Sequence, residues 1–361
     1  MSSKLQRKSF KIENKTIGPN NKTFFIADIA ANHDNNLNKA IDLIHLAAEA
    51  GADAAKFQHF TAETIVSDKG FQLLNTKLSH QKSWNKSVYD TYKDASLNIE
   101  WTEKLKNECK KANIIFFTSP YSLKIVDEIN KFVSVYKIGS GDITWLEIIE
   151  RISKKNKPVF LATGASNMKD VDKAVKAVLK HNKKLCLMQC NTNYTASLKN
   201  FEYINLNVLK SFNLKYPSIL TGLSDHTPGH STVLGAIALG ISAVEKHFTD
   251  NNNLEGPDHK FSMNPKSWKE MVDRSRELEI SLGSNIKKVE RNEVDTHILQ
   301  RRSYIANKIV KKNTDIKIED FDLLRPCPKN SVEPSMIKKV LGKKTNKNIS
   351  IGQSLKWSHI K

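Results

Sequence analysis

The sequence predicts an α/β fold: a (β/α)8 barrel of the TIM type followed by a small, mostly β domain. Three observations carry this. Eight short apolar runs recur down to about residue 280, amphipathic stretches at helical spacing separate them, and polar residues able to do chemistry stand at the carboxyl end of nearly every run. A parallel sheet covered by crossover helices can close on itself, so eight alternating units favour a barrel. The chain of 361 residues has room for about two domains.

Taken in order, residues 8–18 alternate around Asn14-Lys15, the pattern of a hairpin that could plug the bottom of the barrel. Strands are expected at 24–29, 54–58, 114–118, 135–140, 159–163, 185–190, 219–224 and 243–248. Between them, Ala40, Leu43, Ile44, Ala47 and Ala48, or Val171, Ala174, Val175 and Val178, fall on one helical face. The barrel domain is therefore set at 1–282. Residues 283–302 are charge-rich and short of apolar periodicity, which reads as a linker. The remaining 303–361 hold short apolar pieces around the turn-rich Pro326-Cys327-Pro328-Lys329-Asn330. About 60 residues is near the lower limit for a self-sufficient core, so this module is expected to lean on a partner surface.

Composition excludes several classes. With 39% hydrophobic and 26% charged residues the balance is globular. No apolar run approaches the ~18 residues of a membrane span, and the first twenty residues are too polar for a secretory signal, so a cytoplasmic location without membrane contact is expected. Cys109, Cys186, Cys190 and Cys327 form no CxxC pair and suggest neither a disulfide framework nor a structural zinc. Cys186 and Cys190 share one face of a strand and read as packing. A net charge of +19 raises nucleic acid as a partner. The lysine pairs are nevertheless scattered along the whole chain and arginine is scarce, so no nucleic-acid partner is expected; the field would attract small anions.

In such a barrel the carboxyl ends of the strands surround one mouth. The first strand brings Asp28, with Asn32 and His33 behind it; the second Lys56 and Gln58; the third Thr118 and Ser119; the fourth Lys137, Ser140 and Asp142. The later strands bring Thr163, then Asn191, Thr192 and Tyr194, then Ser224, Asp225 and His226, and finally Glu245, Lys246 and His247. Unpaired charge on buried strands costs several kcal/mol, so a purely structural barrel has no use for these groups there. His226 and His247 could converge on one divalent metal; with no thiolate nearby and oxygen donors to complete the shell, manganese suits the site better than zinc. Lys56 and Lys137 call either for an anionic ligand or for pairing with Asp28 or Asp142.

Several segments closely resemble the sialic acid synthase (N-acetylneuraminate synthase) family. They are Ile26-Ala27-Asp28-Ile29-Ala30-Ala31-Asn32-His33, Lys56-Phe57-Gln58, Tyr136-Lys137-Ile138-Gly139-Ser140-Gly141, Gly222-Leu223-Ser224-Asp225-His226-Thr227, Glu245-Lys246-His247-Phe248-Thr249 and Gly256-Pro257-Asp258-His259. Arg325-Pro326 and Leu341-Gly342-Lys343 resemble its C-terminal SAF (antifreeze-like, β-clip) domain. The resemblance implies condensation of phosphoenolpyruvate with an N-acetylated amino sugar of the N-acetylmannosamine type. A legionaminic or pseudaminic acid synthase, or an inactive carbohydrate-binding homologue, is the alternative. It further implies that His226 and His247 hold a divalent metal, typically Mn2+, with Mg2+ or Co2+ as substitutes. Lys56, Ser119, Lys137, Ser140 and Ser224 would surround phosphoenolpyruvate, Gln58 would lie near metal and substrate, and Thr192, Tyr194 and Asp258 would contact the sugar. Asp28 or Asp142 would be the general base. Arg325 would reach over the mouth of the second protomer in a domain-swapped homodimer. Three departures stand out: Asp28 and Asp142 replace the usual glutamates, Ala162 replaces a common serine, and Cys327-Pro328 replaces a glycine-rich turn.

Overall fold

The computed structural model describes residues 7–74, 81–82 and 84–361. They form two compact units, divided after Gly283.

The first unit opens with an antiparallel hairpin, β1 (Phe10–Ile12) and β2 (Lys15–Ile17), in which Phe10 faces Ile17. Eight parallel strands follow: β3 (Phe24–Asp28), β4 (Ala54–His59), β5 (Ile115–Pro120), β6 (Tyr136–Ile138), β7 (Val159–Ala162), β8 (Leu185–Cys190), β9 (Leu220–Asp225) and β10 (Ala243–His247). The sheet order β5-β4-β3-β10-β9-β8-β7-β6 makes each chain neighbour a spatial neighbour, and β5 and β6 come side by side to complete the barrel. All eight expected strands are present, with ends shifted by a few residues.

Period-two alternation explains the two cores. On β3, Phe25 and Ala27 turn outward into the layer shared with the helices, where Leu43, Ile44 and Ala47 meet them. Phe24 and Ile26 turn inward to join Ala54, Ile115, Phe117, Val135, Phe160 and Leu220, and the hairpin's Phe10, Ile12 and Ile17 pack into the same cluster. The hairpin is thus the barrel's floor. Lys15 ties it to Asp53 at 2.7 Å, and Asp53 also accepts the Phe25 N–H at 2.9 Å.

Local signals set the helix starts. Asn36 caps the helix Leu37–Glu49, Asn167 and Asp170 form a capping box for Met168–Leu179, and Asn264 with Pro265 at the first position starts Pro265–Leu282. No helix among the described residues is long and apolar enough to cross a membrane.

The second unit holds β11 (Ser303–Ala306) and β12 (Phe321–Leu324), an antiparallel pair, with further single bridges such as Val310 to Ile349. Its own small core contains Tyr304, Ile316, Phe321, Val332, Val340, Ile349 and Leu355. This is the antiparallel β architecture expected of the C-terminal module. One expectation needs correction: residues 294–300, read as part of a linker, are a helix. The Cys327 N–H donates to the Ile298 carbonyl at 2.9 Å, so this helix belongs to the second unit. Val294 and Ile298 lie at helical i,i+4 spacing, too short a pattern to stand out among the surrounding charges.

Candidate active site

The inward faces of β3, β4, β6, β9 and β10 carry a buried web of charge at their carboxyl ends. Strand register sets it: Asp28 lies beside Lys56 on one side and His247 on the other, and Ser224 lies beside Glu245. Lys56 Nζ is 2.6 Å from Asp28 Oδ2 and 3.7 Å from Glu245 Oε1. Lys137 Nζ, from across the barrel, donates to the same Glu245 oxygen at 2.6 Å, as does the Ser224 hydroxyl at 3.2 Å. Gln58 donates to Asp28 at 3.2 Å. Lys56, Lys137, Asp28 and Glu245 are all buried.

Burial opposes every one of these charges, and pairing decides the outcome. Burial alone would lower the Lys56 pKa, but Asp28 and Glu245 outweigh it and hold the ammonium charged. Burial would raise Glu245, yet Lys137 and Lys56 pull its carboxyl down to about 2. For Asp28, burial prevails over the pull of Lys56 and its pKa rises. Two buried atoms keep unspent capacity: Glu245 Oε2 and the Ser119 hydroxyl have no hydrogen-bond partner. Such atoms cost free energy unless a ligand or water meets them.

The two histidines stand together, with ring centroids 5.3 Å apart. His226 Nδ1 lies 2.8 Å from the Asn191 carbonyl. A carbonyl only accepts, so Nδ1 carries the proton and Nε2 keeps its lone pair. Burial, reinforced by the neighbouring ring, pushes His226 down to about 3, and burial pushes His247 down to about 4. Both are therefore neutral imidazoles near pH 7. His247 Nδ1 has no hydrogen-bond partner, while Asp258 Oδ2 lies 3.8 Å from it and Asp28 Oδ2 lies 3.6 Å from Nε2. Phe261 and Tyr194 wall the pair, with Tyr194 4.4 Å from the His226 ring centroid and Phe261 4.9 Å from that of His247. A second buried pair lies at the positions just before the two histidines: Lys246 meets Asp225 at 2.5 Å, and Asp225 also accepts from Thr227 and Thr232 at 2.8 Å each.

These features fit a divalent cation. Two unprotonated imidazoles are ready donors, and the carboxylates at the mouth, Asp28, Asp142, Glu245 and Asp258, outnumber Lys56 and Lys137. Among the described residues no group of three or more His, Cys, Asp and Glu is placed to hold a metal. The protein's share would be the histidine pair, with oxygen ligands from water or substrate.

The remaining expected residues lie around this centre. Ser140 accepts the Gly164 N–H at 2.9 Å, and Gly164 has no room for a side chain, since a Cβ there would come 2.4 Å from the Thr192 methyl. Ser140, Gly164 and Thr192 thus form a second rim beside the web. Asp258 accepts the Ala31 N–H at 3.2 Å, which fixes it against the loop after β3. Asp142 sits in the short turn after β6, half-buried, with its carboxyl pushed up to about 6 by burial. It is not the partner of Lys137, as one reading of the sequence allowed; Glu245 is. Arg325 is exposed just after β12 in the second unit, preceding a cis proline. His33 packs edge-on against Trp101, and His59 bonds Thr118 and Thr102, so both are structural.

Glu245, which the sequence places at the mouth without a role, is the hub of the web. Its signal was present: on a strand, a residue two places before His247 shares its inward face.

Comparison with known proteins agrees with this geometry. The family model described as "NeuB family" matches residues 43–287. N,N'-diacetyllegionaminic acid synthase of Campylobacter jejuni is 33% identical, over 91% of this chain and 97% of that protein. Pseudaminic acid synthase of the same organism is 30% identical, over 93% and 96%. The crystal structure of the N-acetylneuraminic acid synthetase of Leptospira borgpetersenii in complex with citrate superposes with a TM-score of 0.70 at 27% identity, covering 80% of this chain and 95% of that one. On its strand-end motifs, its barrel and these matches, the chain belongs to the NeuB family of sialic acid synthases.

Proposed function

We propose that the protein condenses phosphoenolpyruvate with an N-acetylated amino sugar and water to give a nine-carbon sialic acid and phosphate. The observation that carries this is the buried web Asp28–Lys56–Glu245–Lys137 beside two neutral imidazoles. It offers two fixed ammonium groups, hydroxyls on three sides and a metal-ready pair within one barrel mouth.

Lys56 and Lys137, with Ser119, Ser140 and Ser224, would hold the carboxylate and phosphate of phosphoenolpyruvate. His226 and His247 would hold a divalent metal, Mn2+ because oxygen donors would complete the shell and no thiolate is near, with Mg2+ or Co2+ able to substitute. When bound it supplies Lewis-acid polarisation of the sugar aldehyde. Gln58, Thr192, Tyr194 and Asp258 would orient the open-chain sugar. The methylene carbon of phosphoenolpyruvate forms the new C–C bond at the aldehyde carbon as the C=O π pair moves onto the aldehyde oxygen, leaving positive charge on the former enol carbon. The aldehyde oxygen takes a proton from solvent to become a hydroxyl. Asp142, whose raised pKa suits a base near neutral pH, takes a proton from the water that adds there; Asp28 is committed to Lys56. C–O cleavage then releases phosphate against the two lysines.

The acceptor is read as of the N-acetylmannosamine type. The similarity to a diacetyllegionaminic acid synthase favours a second reading, a diacetylated acceptor. Phosphate release and product mass, measured over a panel of N-acetylated hexosamines with phosphoenolpyruvate and Mn2+, test both. Release with no acceptor in the panel would overturn the assignment.

The exposed Arg325 is read as an arm that serves the mouth of a second copy in a domain-swapped homodimer. Arg325→Ala is expected to raise the acceptor KM about tenfold, a typical single-contact loss of ~1.4 kcal/mol. Mixing it with His247→Ala should restore activity through the composite mouth. Unchanged kinetics of Arg325→Ala would discard the arm.

A further inference from the structure

Beyond the charged web, the inward faces of β5 and β6 each carry one more residue. On β5, Phe117 joins the floor and Ser119 stands at the mouth; next on that face is Tyr121, whose N–H continues the strand pairing by donating to the His59 carbonyl at 3.1 Å. On β6, the residue that follows Lys137 on the inward face is Gly139, which opens the turn holding Ser140 and Asp142. The two strands lie side by side. We propose that the Tyr121 hydroxyl is a further hydrogen-bond donor to phosphoenolpyruvate, on the side lined by Ser119, Lys137 and Ser140, and that position 139 is glycine to make room for it. This rests on the condensation described above and adds a residue to the site of its first substrate.

The space at Gly139 carries the argument. Its φ of −66° and ψ of 154° suit any residue, so the backbone does not call for glycine there. The neighbour does. A Cβ at Gly139 would lie 3.1 Å from the Tyr121 hydroxyl oxygen, against 3.5 Å and 3.6 Å from the nearest ring carbons, so it is the hydroxyl that fills the place of the missing side chain. From the other side Phe60 meets the Tyr121 ring edge-on at 5.8 Å, and the ring packs against the cluster of Phe60, Ala31 and Ala95. A ring wedged in this way delivers its hydroxyl to one spot.

That hydroxyl is unspent. Among the described residues it has no hydrogen-bond partner, and burial, followed by the charge of Asp142, pushes its pKa well above the ordinary tyrosine value. It therefore remains a donor near neutral pH. Ser119, two residues earlier on the same face, is buried and has no partner either. Two free hydroxyls beside the Lys137 ammonium suit an anion that brings its own acceptors.

The test is calorimetric titration of the full-length protein with phosphoenolpyruvate, in Mn2+ buffer and without sugar. Tyr121→Phe, which keeps the ring and its contact with Phe60, is expected to weaken binding about tenfold with the thermal midpoint nearly unmoved. Gly139→Ala should weaken binding about threefold in the parent by displacing the hydroxyl. In the Tyr121→Phe background it should cost nothing further, because the added methyl then meets only ring carbons at ordinary contact distance. A tyrosine with a merely structural role would not produce this non-additivity. Unchanged affinity in Tyr121→Phe, or effects of the two substitutions that simply add, would overturn the proposal. So would an acid limb of the kcat/KM profile that moves while the affinity does not, since that would give the hydroxyl to Asp142. Failure of the condensation itself would appear separately, as absent sugar-dependent phosphate release by a parent that still binds phosphoenolpyruvate more tightly than Tyr121→Phe.

Discussion

The two ends of the barrel interior are made by the same eight strands and differ in almost every physical respect. At the floor, Phe24, Ile115, Val135, Phe160 and Leu220 close on the hairpin's Phe10, Ile12 and Ile17. Two residues further along the same inward faces, Val135 gives way to Lys137, Ala54 to Lys56, Ile26 to Asp28, Phe117 to Ser119 and Ala243 to Glu245. The switch recurs on five of the strands, which no single strand requires for its own stability. Replacing a buried ion pair with apolar side chains is often neutral or stabilising, so the upper layer is weak as a source of fold stability and makes sense as a receptor for anions and a cation. The floor holds the barrel together; the mouth is held by it.

Substitutions in each layer should separate these roles. The largest expected effect is at the mouth: His226→Ala or His247→Ala should lower sugar-dependent phosphate release about 10⁴-fold, equivalent to ~5.5 kcal/mol of barrier, with the thermal midpoint nearly unmoved. Near-native turnover in both variants would remove the histidine pair from the mechanism. At the floor the pattern should invert. Phe160→Ala removes a ring that contacts Phe10, Phe24 and Phe117 and should cost ~3–5 kcal/mol in denaturant unfolding, while the KM for phosphoenolpyruvate stays within about threefold below the transition. A large KM change would mean that the two layers are coupled.

Asp142 gives a smaller effect with a distinctive signature. Its carboxyl is raised to about 6, so it is protonated and unable to accept a proton below that pH, and ionised above it. The kcat/KM profile should fall on the acid side below about pH 6. Asp142→Asn should lower kcat about 100-fold and flatten that limb; a retained limb assigns the base elsewhere. The smallest expected change is in stability. The double variant Lys137→Met, Glu245→Leu should unfold within ~1 kcal/mol of the parent or later, yet be inactive, whereas Lys137→Met alone strips Glu245 of its closest partner and should cost ~3 kcal/mol. Marked destabilisation of the double variant would show that the web also supports the fold.

Much of this was legible in one dimension. Apolar runs and helical spacing located all eight barrel strands, and the polar residues at the strand ends pointed to the mouth. Lys56, Gln58, Lys137, Ser224, His226 and His247 come together there as expected. Glu245 was placed at the mouth but given no role there, because a carboxylate on an apolar strand reads as one of several polar strand-end groups until its inward face is counted from His247. The helix at 294–300 was missed because its few apolar residues sit among charges.

The sequence by itself determined which residues face inward and where each strand ends, because alternation and capping are local properties of neighbouring residues. Only the tertiary structure decided who pairs with whom. Glu245 serves both Lys137 and Lys56, and Asp28 takes Lys56. Those choices depend on register between strands and on the closure that brings β6 opposite β10, contacts between residues a hundred positions apart that no local pattern encodes.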